Sequence, residues 1–303
     1  MAASTEVLLR SFDLSGRGDV RPAAADDAVD GVLPRLIVEP DTPDDVARVL
    51  ARSSRESLTV VLRGGATKLA WGRRPDPIDV VLSTLRLDRV LAHRHGDLTA
   101  TIEAGATIVD INRELARHRQ WLPLEASFDG ATIGGTIATN DSGPLRQRHG
   151  TPRDLLIGIS LATTDGRLAK SGGNVVKNVA GYDLGKLVSG SFGSLAAIVS
   201  ATFKLAPLPM SSQTMVARFR DPDAVGQAIA TIASSQLEPA AFDLRGAFGG
   251  AAQNEVAPFS MLLRFASTPA TIEAQLEQAG RRITAERIDV VAVATYSSCR
   301  CGS

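Results

Sequence analysis

Cysteine is nearly absent from this sequence, and its positions limit what it can do. Cys299 and Cys301 are the only two, and they lie one residue apart near the end of the chain. So close a pair cannot close a sizeable disulfide loop, and two thiolates alone complete neither a four-ligand zinc site nor an iron–sulfur cluster. We therefore predict a fold without a disulfide framework.

Long apolar runs and a leader segment are also missing. No apolar run reaches the ~20 residues that span a bilayer. The start, Met1-Ala-Ala-Ser-Thr-Glu, lacks the basic region followed by an apolar region that is typical of a signal peptide. These features predict a cytoplasmic protein without a transmembrane segment.

The chain carries no net charge and few aromatic residues. Its 33 Lys+Arg balance 33 Asp+Glu, and aromatic residues make up 4% of 303. Such a chain has no long-range field for DNA, RNA or anionic lipid, and no basic stripe alternates with aromatic side chains. We therefore predict no nucleic-acid partner. The length suffices for two domains of ~150 residues with buried cores.

Glycine, in contrast, is concentrated in clusters at residues 63–67, 130–143 and 190–193. Without Cβ atoms, main-chain N–H groups can point together at phosphate oxygens, and each such bond contributes ~1.5–3 kcal/mol. A few of these bonds would hold a diphosphate, and Arg63 would add a charge-assisted contact. A pair of tight turns explains a single cluster equally well, but three clusters beside strand-like runs favour loops that meet at one elongated ligand.

The common nucleotide motifs do not match these clusters. None has the Gly-x-Gly-x-x-Gly spacing of a Rossmann fingerprint. The pair Gly185-Lys186 resembles part of a P-loop, but Ala180 and Leu187 stand where that motif needs glycine and Ser or Thr. These mismatches disfavour the usual sites for NAD and ATP.

Periodicity predicts an α+β fold in the first two thirds of the chain. Helices should begin after Thr42 and after Thr107, each of which can cap a first turn. Asp165-Gly166 is typical of a tight hairpin turn between two strands within residues 155–170. Further strands are predicted over residues 59–62, 79–82, 99–103 and 195–205.

A Pro-rich stretch, Pro207-Leu208-Pro209, indicates a domain boundary. We predict one domain over residues 1–207 and a second over 208–303. The second reads as βαββαβ, the split-βαβ order of ferredoxin-like domains. Its elements are predicted as strand 214–219, helix 222–236, strand 239–245, strand 258–266, helix 269–281 and strand 287–293.

Three strings in this order resemble the vanillyl-alcohol-oxidase/PCMH-type FAD-binding family. They are Arg63-Gly-Gly-Ala-Thr-Lys, Gly130-Ala-Thr-Ile-Gly-Gly-Thr-Ile-Ala-Thr-Asn140 and Val176-Lys-Asn-Val-Ala-Gly-Tyr-Asp-Leu-Gly-Lys-Leu-Val-Ser-Gly-Ser-Phe-Gly193. The resemblance covers about residues 35–207 and, within the family, is greatest to the FAD-binding subunits of glycolate oxidases. It implies a two-lobed FAD-binding domain followed by an α+β cap domain. The βαββαβ reading, which comes from periodicity alone, is compatible with that cap, so we predict an α+β fold with a smaller ferredoxin-like cap domain.

The resemblance also implies which residues hold FAD. The diphosphate would lie against Arg63, Gly64, Gly65, Ala66 and Thr67. The diphosphate, ribityl chain and flavin would lie along Gly130, Thr132, Ile133, Gly134, Gly135, Ala138, Thr139, Asn140, Ser142 and Gly143. Gly190, Ser191, Gly193 and Ile198 would also follow the cofactor.

Two positions depart from the family pattern. Many relatives have glycine where Ala66 stands, and its Cβ would force a small shift near the diphosphate. Relatives that bind flavin covalently often carry histidine in the region of Thr67. We therefore predict non-covalent FAD.

The sequence contains few groups suited to taking a proton from a substrate. The histidines are His93, His95, His118 and His149, all of which precede the predicted cap domain. We interpret His93-x-His95 as a solvated turn rather than a metal site, and we predict no metal. The catalytic residue is unknown, and Lys177 and Tyr182 are the remaining candidates.

Other side chains have less specific interpretations. Lys177 could equally pair with Asp183 or face solvent. Trp71, Trp121 and the nine phenylalanines are predicted to be core residues rather than flavin-stacking ones. Arg146, Arg148 and Arg153 could attract an acidic substrate or simply decorate a loop.

The resemblance implies an FAD-binding subunit of a glycolate oxidase- or dehydrogenase-type complex. Such a subunit works with a catalytic FAD subunit and an iron–sulfur subunit, and it passes electrons from the oxidation of a small 2-hydroxy acid through its flavin to partner subunits. The alternatives are a self-sufficient 2-hydroxy-acid dehydrogenase, a flavoenzyme like the enolpyruvyl-sugar reductases, and a scaffold whose glycine clusters are only turns. The tail from Tyr296 is unlike the end of a fold, so a truncated or frame-shifted product stays open.

Overall fold

The computed structural model describes residues 5–173, 182–246 and 257–292. Within them the chain folds into two compact units. The first comprises Met1–Ser142 and Thr151–Ala206, and the second comprises Gly143–Gly150 and Pro207–Ser303. The division at Ala206 lies one residue before the predicted one, whereas Gly143–Gly150 departs from the prediction by joining the second unit.

The first unit begins with a four-stranded sheet. Its strands are β1 (Asp19–Pro22), β2 (Leu36–Glu39), β3 (Val60–Arg63) and β4 (Val80–Ser83), preceded by helix α1 (Thr5–Leu9) and joined by helix α2 (Pro43–Arg55). The order is β1-β2-β4-β3, with β2, β4 and β3 parallel and β1 antiparallel to β2. Thr42 caps α2 as predicted, since its Oγ1 accepts a hydrogen bond from the Asp45 amide. β1 and β2 were not predicted.

The second sheet of this unit is antiparallel and has five strands. They are β5 (Val90–Arg94), β6 (Thr99–Glu103), β8 (Leu156–Ala162), β9 (Leu168–Gly172) and β10 (Ala197–Lys204), in the order β5-β6-β10-β8-β9. The predicted strands at 99–103 and 195–205 and the hairpin around Asp165-Gly166 are confirmed. β10 is central and buried along both faces. Ala197 and Val199 join one core, while Ile198 and Phe203 join another.

Short elements connect these strands. They are helix α3 (Ile108–Leu115), strand β7 (Gln120–Trp121), helices α4 (Ile133–Thr139), α6 (Pro152–Leu155) and α7 (Leu184–Val188), and strand β11 (Ala206–Pro207). Thr107 caps α3 as predicted. The expectation that residues 130–143 form a loop is wrong at its centre, where α4 lies. The Thr132 hydroxyl caps α4 by accepting from the Gly135 amide, which is the same geometry that begins the predicted helices.

The second unit follows the βαββαβ order. Its elements are helix α5 (Arg146–His149), strand β12 (Ser211–Phe219), helix α8 (Pro222–Ala233), strands β13 (Ala241–Gly246) and β14 (Phe259–Ser267), helix α9 (Pro269–Arg282) and strand β15 (Arg287–Ala292). The sheet is antiparallel, with the order β13-β14-β12-β15. Met215, Phe219 and Phe265 form its core with apolar residues of α8 and α9.

The segment that contains α5 corrects one expectation about histidine. We expected every histidine to lie outside the second unit, but His149 belongs to it. This segment is held to the second unit through Arg148. Its Nη1 lies 3.6 Å from Glu238 Oε2 and donates a hydrogen bond to the Glu238 carbonyl oxygen. Among the described residues, no helix is long and apolar enough to cross a membrane.

Candidate cofactor site

A cavity of about 510 Å³ opens in the first unit where β3 ends. Its size is that of small-molecule and cofactor sites, which are commonly ~300–1,000 Å³. The chain leaves β3 at Arg63 and turns at once through Gly64 and Gly65 along the wall of the cavity. The start of α4 and the residues leading into β10 form other parts of the wall.

The turn after β3 presents a series of consecutive backbone amides to the cavity. Among the described residues, the N–H groups of Gly64, Gly65, Ala66 and Thr67 donate to no protein acceptor. Ala66 has a φ of +59°, in the left-handed region. Successive amides around a left-handed residue form an anion-binding concavity. This amide cradle, residues 64–67, therefore has the chemistry that a diphosphate needs.

The cradle lies so close to the residues before α4 that its glycines have no room for a side chain. A Cβ on Gly65 would lie 1.9 Å from the Gly130 carbonyl oxygen, and a Cβ on Gly64 would lie 2.2 Å from Thr132 Oγ1. Two of the predicted glycine clusters are thus in direct contact. This approach, which only glycine permits, brings the cradle and Thr132 together in the wall of one cavity.

The guanidinium of Arg63 is already engaged. It is about one tenth exposed, and its Nη1 lies 3.0 Å from Asp27 Oδ1, with Glu39 Oε1 3.8 Å from Nη2. Arg21 also binds Asp27, and its hydrogen bonds are the main reason why the pKa of that carboxyl lies below its usual range. The structure therefore does not support the predicted phosphate contact for the Arg63 side chain, although Arg63 is among the residues that line the cavity.

A buried ion pair, which sequence reasoning missed, lies beside the cradle. Lys68 lines the cavity, and its Nζ lies 2.9 Å from Asp141 Oδ2, with both side chains almost fully buried. Burial alone would raise the pKa of the Asp141 carboxyl. Hydrogen bonds from the Ser127 hydroxyl and amide, together with Lys68, lower it instead. No local signal links Lys68 to a residue 73 positions away.

The aromatic residues near the cavity also differ from the prediction. Trp71 was expected in a core, but it is 41% exposed and lines the cavity. It makes an edge contact with Phe128, and Lys68 Nζ lies within 6 Å of both ring centroids. Phe192 is likewise exposed and lines the cavity. The core expectation is confirmed for Trp121.

The structure brings together most of the predicted cofactor-binding residues. Twelve line the cavity, namely Arg63, Gly64, Gly65, Ala66, Thr67, Thr132, Gly134, Gly135, Ala138, Thr139, Gly193 and Ile198. The others are not in its lining: Gly130, Ile133, Asn140, Ser142, Gly143, Gly190 and Ser191. Gly130 nevertheless contacts the cradle at Gly65, whereas Gly143 belongs to the second unit.

The structure does not place a catalytic candidate at the cavity. Tyr182 is 91% exposed and is not in the lining. Lys177 lies outside the described residues. The partner considered for it, Asp183, caps α7 and binds Lys186, with 3.1 Å between the charged atoms. No histidine of the described chain lines the cavity either.

Comparisons with known proteins agree with this geometry. The FAD binding domain family matches residues 34–172. The chain is 31% identical to glycolate oxidase subunit GlcD of Bacillus subtilis over 70% of this chain and 45% of that protein. It is 33% identical to glycolate oxidase subunit GlcE of Escherichia coli over 59% of this chain and 50% of that protein. The chain thus spans about half the length of the curated relatives it matches.

A solved structure shows the same fold. Alkyldihydroxyacetonephosphate synthase superposes with a TM-score of 0.71 at 18% identity, covering 87% of this chain and 52% of that one. At this identity the likeness concerns the fold alone. The matched domain contains both the amide cradle and the start of α4. The chain therefore contains an FAD binding domain over residues 34–172.

Proposed function

We propose that this chain binds FAD non-covalently and serves as the FAD-binding subunit of a glycolate oxidase-type complex. The observation that carries the proposal is the amide cradle, in which the N–H groups of residues 64–67 have no acceptor in the part of the chain that the structure describes. Each bond to a diphosphate oxygen would contribute ~1.5–3 kcal/mol. The cradle would therefore hold the diphosphate through backbone groups, whether or not a cation of the lining such as Arg73 contributes.

The other wall residues would hold the rest of the cofactor. Thr132, Gly135 and Thr139 lie along α4 and supply hydroxyl and small surfaces to the cavity. Ile198 and Phe192 supply apolar surface. A mixed wall of this kind suits a ligand that is charged at one part and apolar at another. The described lining contains no histidine, cysteine or tyrosine, which supports a cofactor held without a covalent bond.

The proposed role as an electron-transfer subunit depends on which ionisable side chains line the cavity. FAD, when bound, accepts a hydride from substrate or electrons from a redox partner. Removal of the hydroxyl proton of a 2-hydroxy acid needs a base within hydrogen-bond reach. Among the described lining residues the ionisable ones are Arg63, Lys68 and Arg73, and the first two are held in ion pairs. None of the described lining residues is thus suited to take this proton, and we propose that a partner subunit supplies the base.

The names of two relatives support a multi-subunit assembly. Both are described as subunits of glycolate oxidase. We propose that the partners here are a catalytic FAD subunit and an iron–sulfur subunit, and that the substrate of the complex is a small 2-hydroxy acid such as glycolate. The two cysteines of this chain cannot hold an iron–sulfur cluster by themselves.

Reconstitution tests the proposal in two stages. In the first, purified chain is titrated with FAD, and acid precipitation should release the flavin into the supernatant. In the second, the loaded chain is mixed with glycolate and an artificial acceptor, alone and with the partner subunits. We expect FAD binding in the first stage and turnover only with partners. Flavin that stays in the pellet contradicts non-covalent binding, and turnover by the chain alone contradicts the subunit role.

A further inference from the structure

Three histidines meet on the first unit, outside the lining of the FAD cavity. His93 lies on β5, His95 begins the 3₁₀ turn His95–Asp97, and His118 ends the 3₁₀ turn Ala116–His118. The ring centroids of His95 and His118 are 3.8 Å apart, and His93 lies 4.2 Å and 5.2 Å from them. One ring nitrogen of each lies within 4.8 Å of those of the others. The interpretation of His93-x-His95 as a solvated turn is thus incomplete, because His118 from a second turn lies beside both rings.

A hydrogen-bond chain sets the tautomer of His93. Gln120 Nε2 donates to the His95 carbonyl oxygen at 2.9 Å, so the amide orientation of Gln120 is fixed. Its Oε1, 2.8 Å from His93 Nε2, must then accept a hydrogen bond from that nitrogen. The lone pair of His93 is therefore on Nδ1. An imidazole that donates through one nitrogen to a carbonyl oxygen and keeps the other free has the arrangement found in metal-binding histidines.

We propose that His93, His95 and His118 form a binding site for one divalent transition metal ion, and specifically for Zn²⁺. Imidazole nitrogens suit zinc, copper, nickel and cobalt, whereas magnesium and calcium prefer oxygen ligands. Tetrahedral zinc with Zn–N bonds of about 2.0–2.1 Å requires ligand nitrogens about 3.4 Å apart. His95 and His118 are exposed, so modest side-chain rotations bring their nitrogens to this spacing.

The exposed position leaves the fourth ligand position to water. The bound ion would connect the edge strand β5 to the turn that follows α3. Because none of the three histidines lines the FAD cavity, the site is independent of the proposed function.

Calorimetric titration of the full-length chain, free of any histidine tag, with ZnCl₂ tests the proposal. We expect one Zn²⁺ per chain, unaffected by excess Mg²⁺. His95→Ala and His118→Ala should each lower the affinity at least about 10-fold, since even the loss of an outer hydrogen-bond partner costs 10–100-fold. Arg117→Ala, which changes an exposed neighbour and keeps every histidine, should bind as the parent does.

A second measurement guards against unfolded variants. Circular dichroism should show the same spectrum for all four proteins, since the altered side chains are exposed. Titration with CoCl₂ should give the visible absorption of tetrahedral cobalt in the parent and in Arg117→Ala, but not in His118→Ala. The proposal would be overturned if the parent showed no saturable Zn²⁺ binding, or if folded His95→Ala and His118→Ala bound Zn²⁺ with the same affinity as the parent.

Discussion

The close approach of the cradle to the residues before α4 makes Gly65→Ala a sharp test of the FAD site. The new Cβ would lie 1.9 Å from the Gly130 carbonyl oxygen, where Cβ atoms do not come within 3.0 Å. The two segments must therefore separate by about 1 Å, and a displacement of this size is enough to disrupt aligned contacts. We expect at least two cradle amides to lose their alignment with the diphosphate.

The magnitude follows from those hydrogen bonds. Two bonds to charged oxygens, at ~1.5–3 kcal/mol each, amount to about 3–6 kcal/mol. The FAD dissociation constant should then rise by a factor of about 10² to 10⁴. Calorimetric titration of the apoprotein with FAD measures this change. Thermal unfolding without FAD should still be cooperative, because the cradle lies on a turn and not in a core.

Gly226→Ala is the matched control. Its Cβ would meet no atom within 4 Å, and Gly226 lies in helix α8 of the second unit. Alanine is favoured over glycine there by about 1 kcal/mol, so this variant should be at least as stable as the parent and bind FAD equally well. If folded Gly65→Ala binds FAD within about threefold of the parent, a difference of less than 1 kcal/mol, the cradle does not hold the cofactor.

Further predictions concern stability, and each is measured by urea denaturation of the apoprotein. Ala66→Gly should raise the free energy of unfolding by up to about 1 kcal/mol. Alanine at a φ of +59° costs about 1–2 kcal/mol, which glycine avoids, but the greater conformational freedom of glycine in the unfolded chain offsets part of this gain. A less stable variant would contradict this prediction. Lys68→Met should lower the free energy of unfolding by about 3–5 kcal/mol, because the Asp141 carboxylate is left buried and unpaired. Adding Asp141→Leu should recover part of that loss, and a double variant as unstable as the sum of the single ones would argue against the ion pair. The pKa of Asp27 is below its ordinary value of 3.8 in the folded chain, so its contribution is complete above about pH 5 and is lost as the pH falls towards the folded pKa. Asp27→Asn should therefore show a shallower loss of stability between about pH 5 and pH 3 than the parent, and identical slopes would refute the linkage.

Much of the fold was predictable because its elements have strong local signals. The caps at Thr42 and Thr107 and the Asp165-Gly166 turn each act within a few residues, and the structure contains all of them. β2 was missed, although its first three residues are apolar and buried, because so short an apolar run has no period that separates a buried strand from a buried helix. α4 was missed because glycine disfavours a helix, and two glycines lie in the first turn after the capping residue Thr132.

The candidate cofactor site was predictable only in the parts that are formed by glycine-rich backbone. Glycine clusters can be found in a sequence, and two of them do meet at Gly65 and Gly130. Side-chain pairs such as Lys68 with Asp141 depend on long-range packing and leave no local pattern. His118 illustrates the same limit, since nothing in its neighbourhood links it to His93.

The position of β10 has a consequence for synthesis on the ribosome. This strand comes last among the five of its sheet but lies between β6 and β8. Until residue 204 has emerged, β6 and β8 in the nascent chain each have one edge without the strand that pairs with it in the folded protein. Unpaired strand edges can pair with other chains. Translation that stops before Ala197 would yield an aggregation-prone fragment in place of a partial flavoprotein.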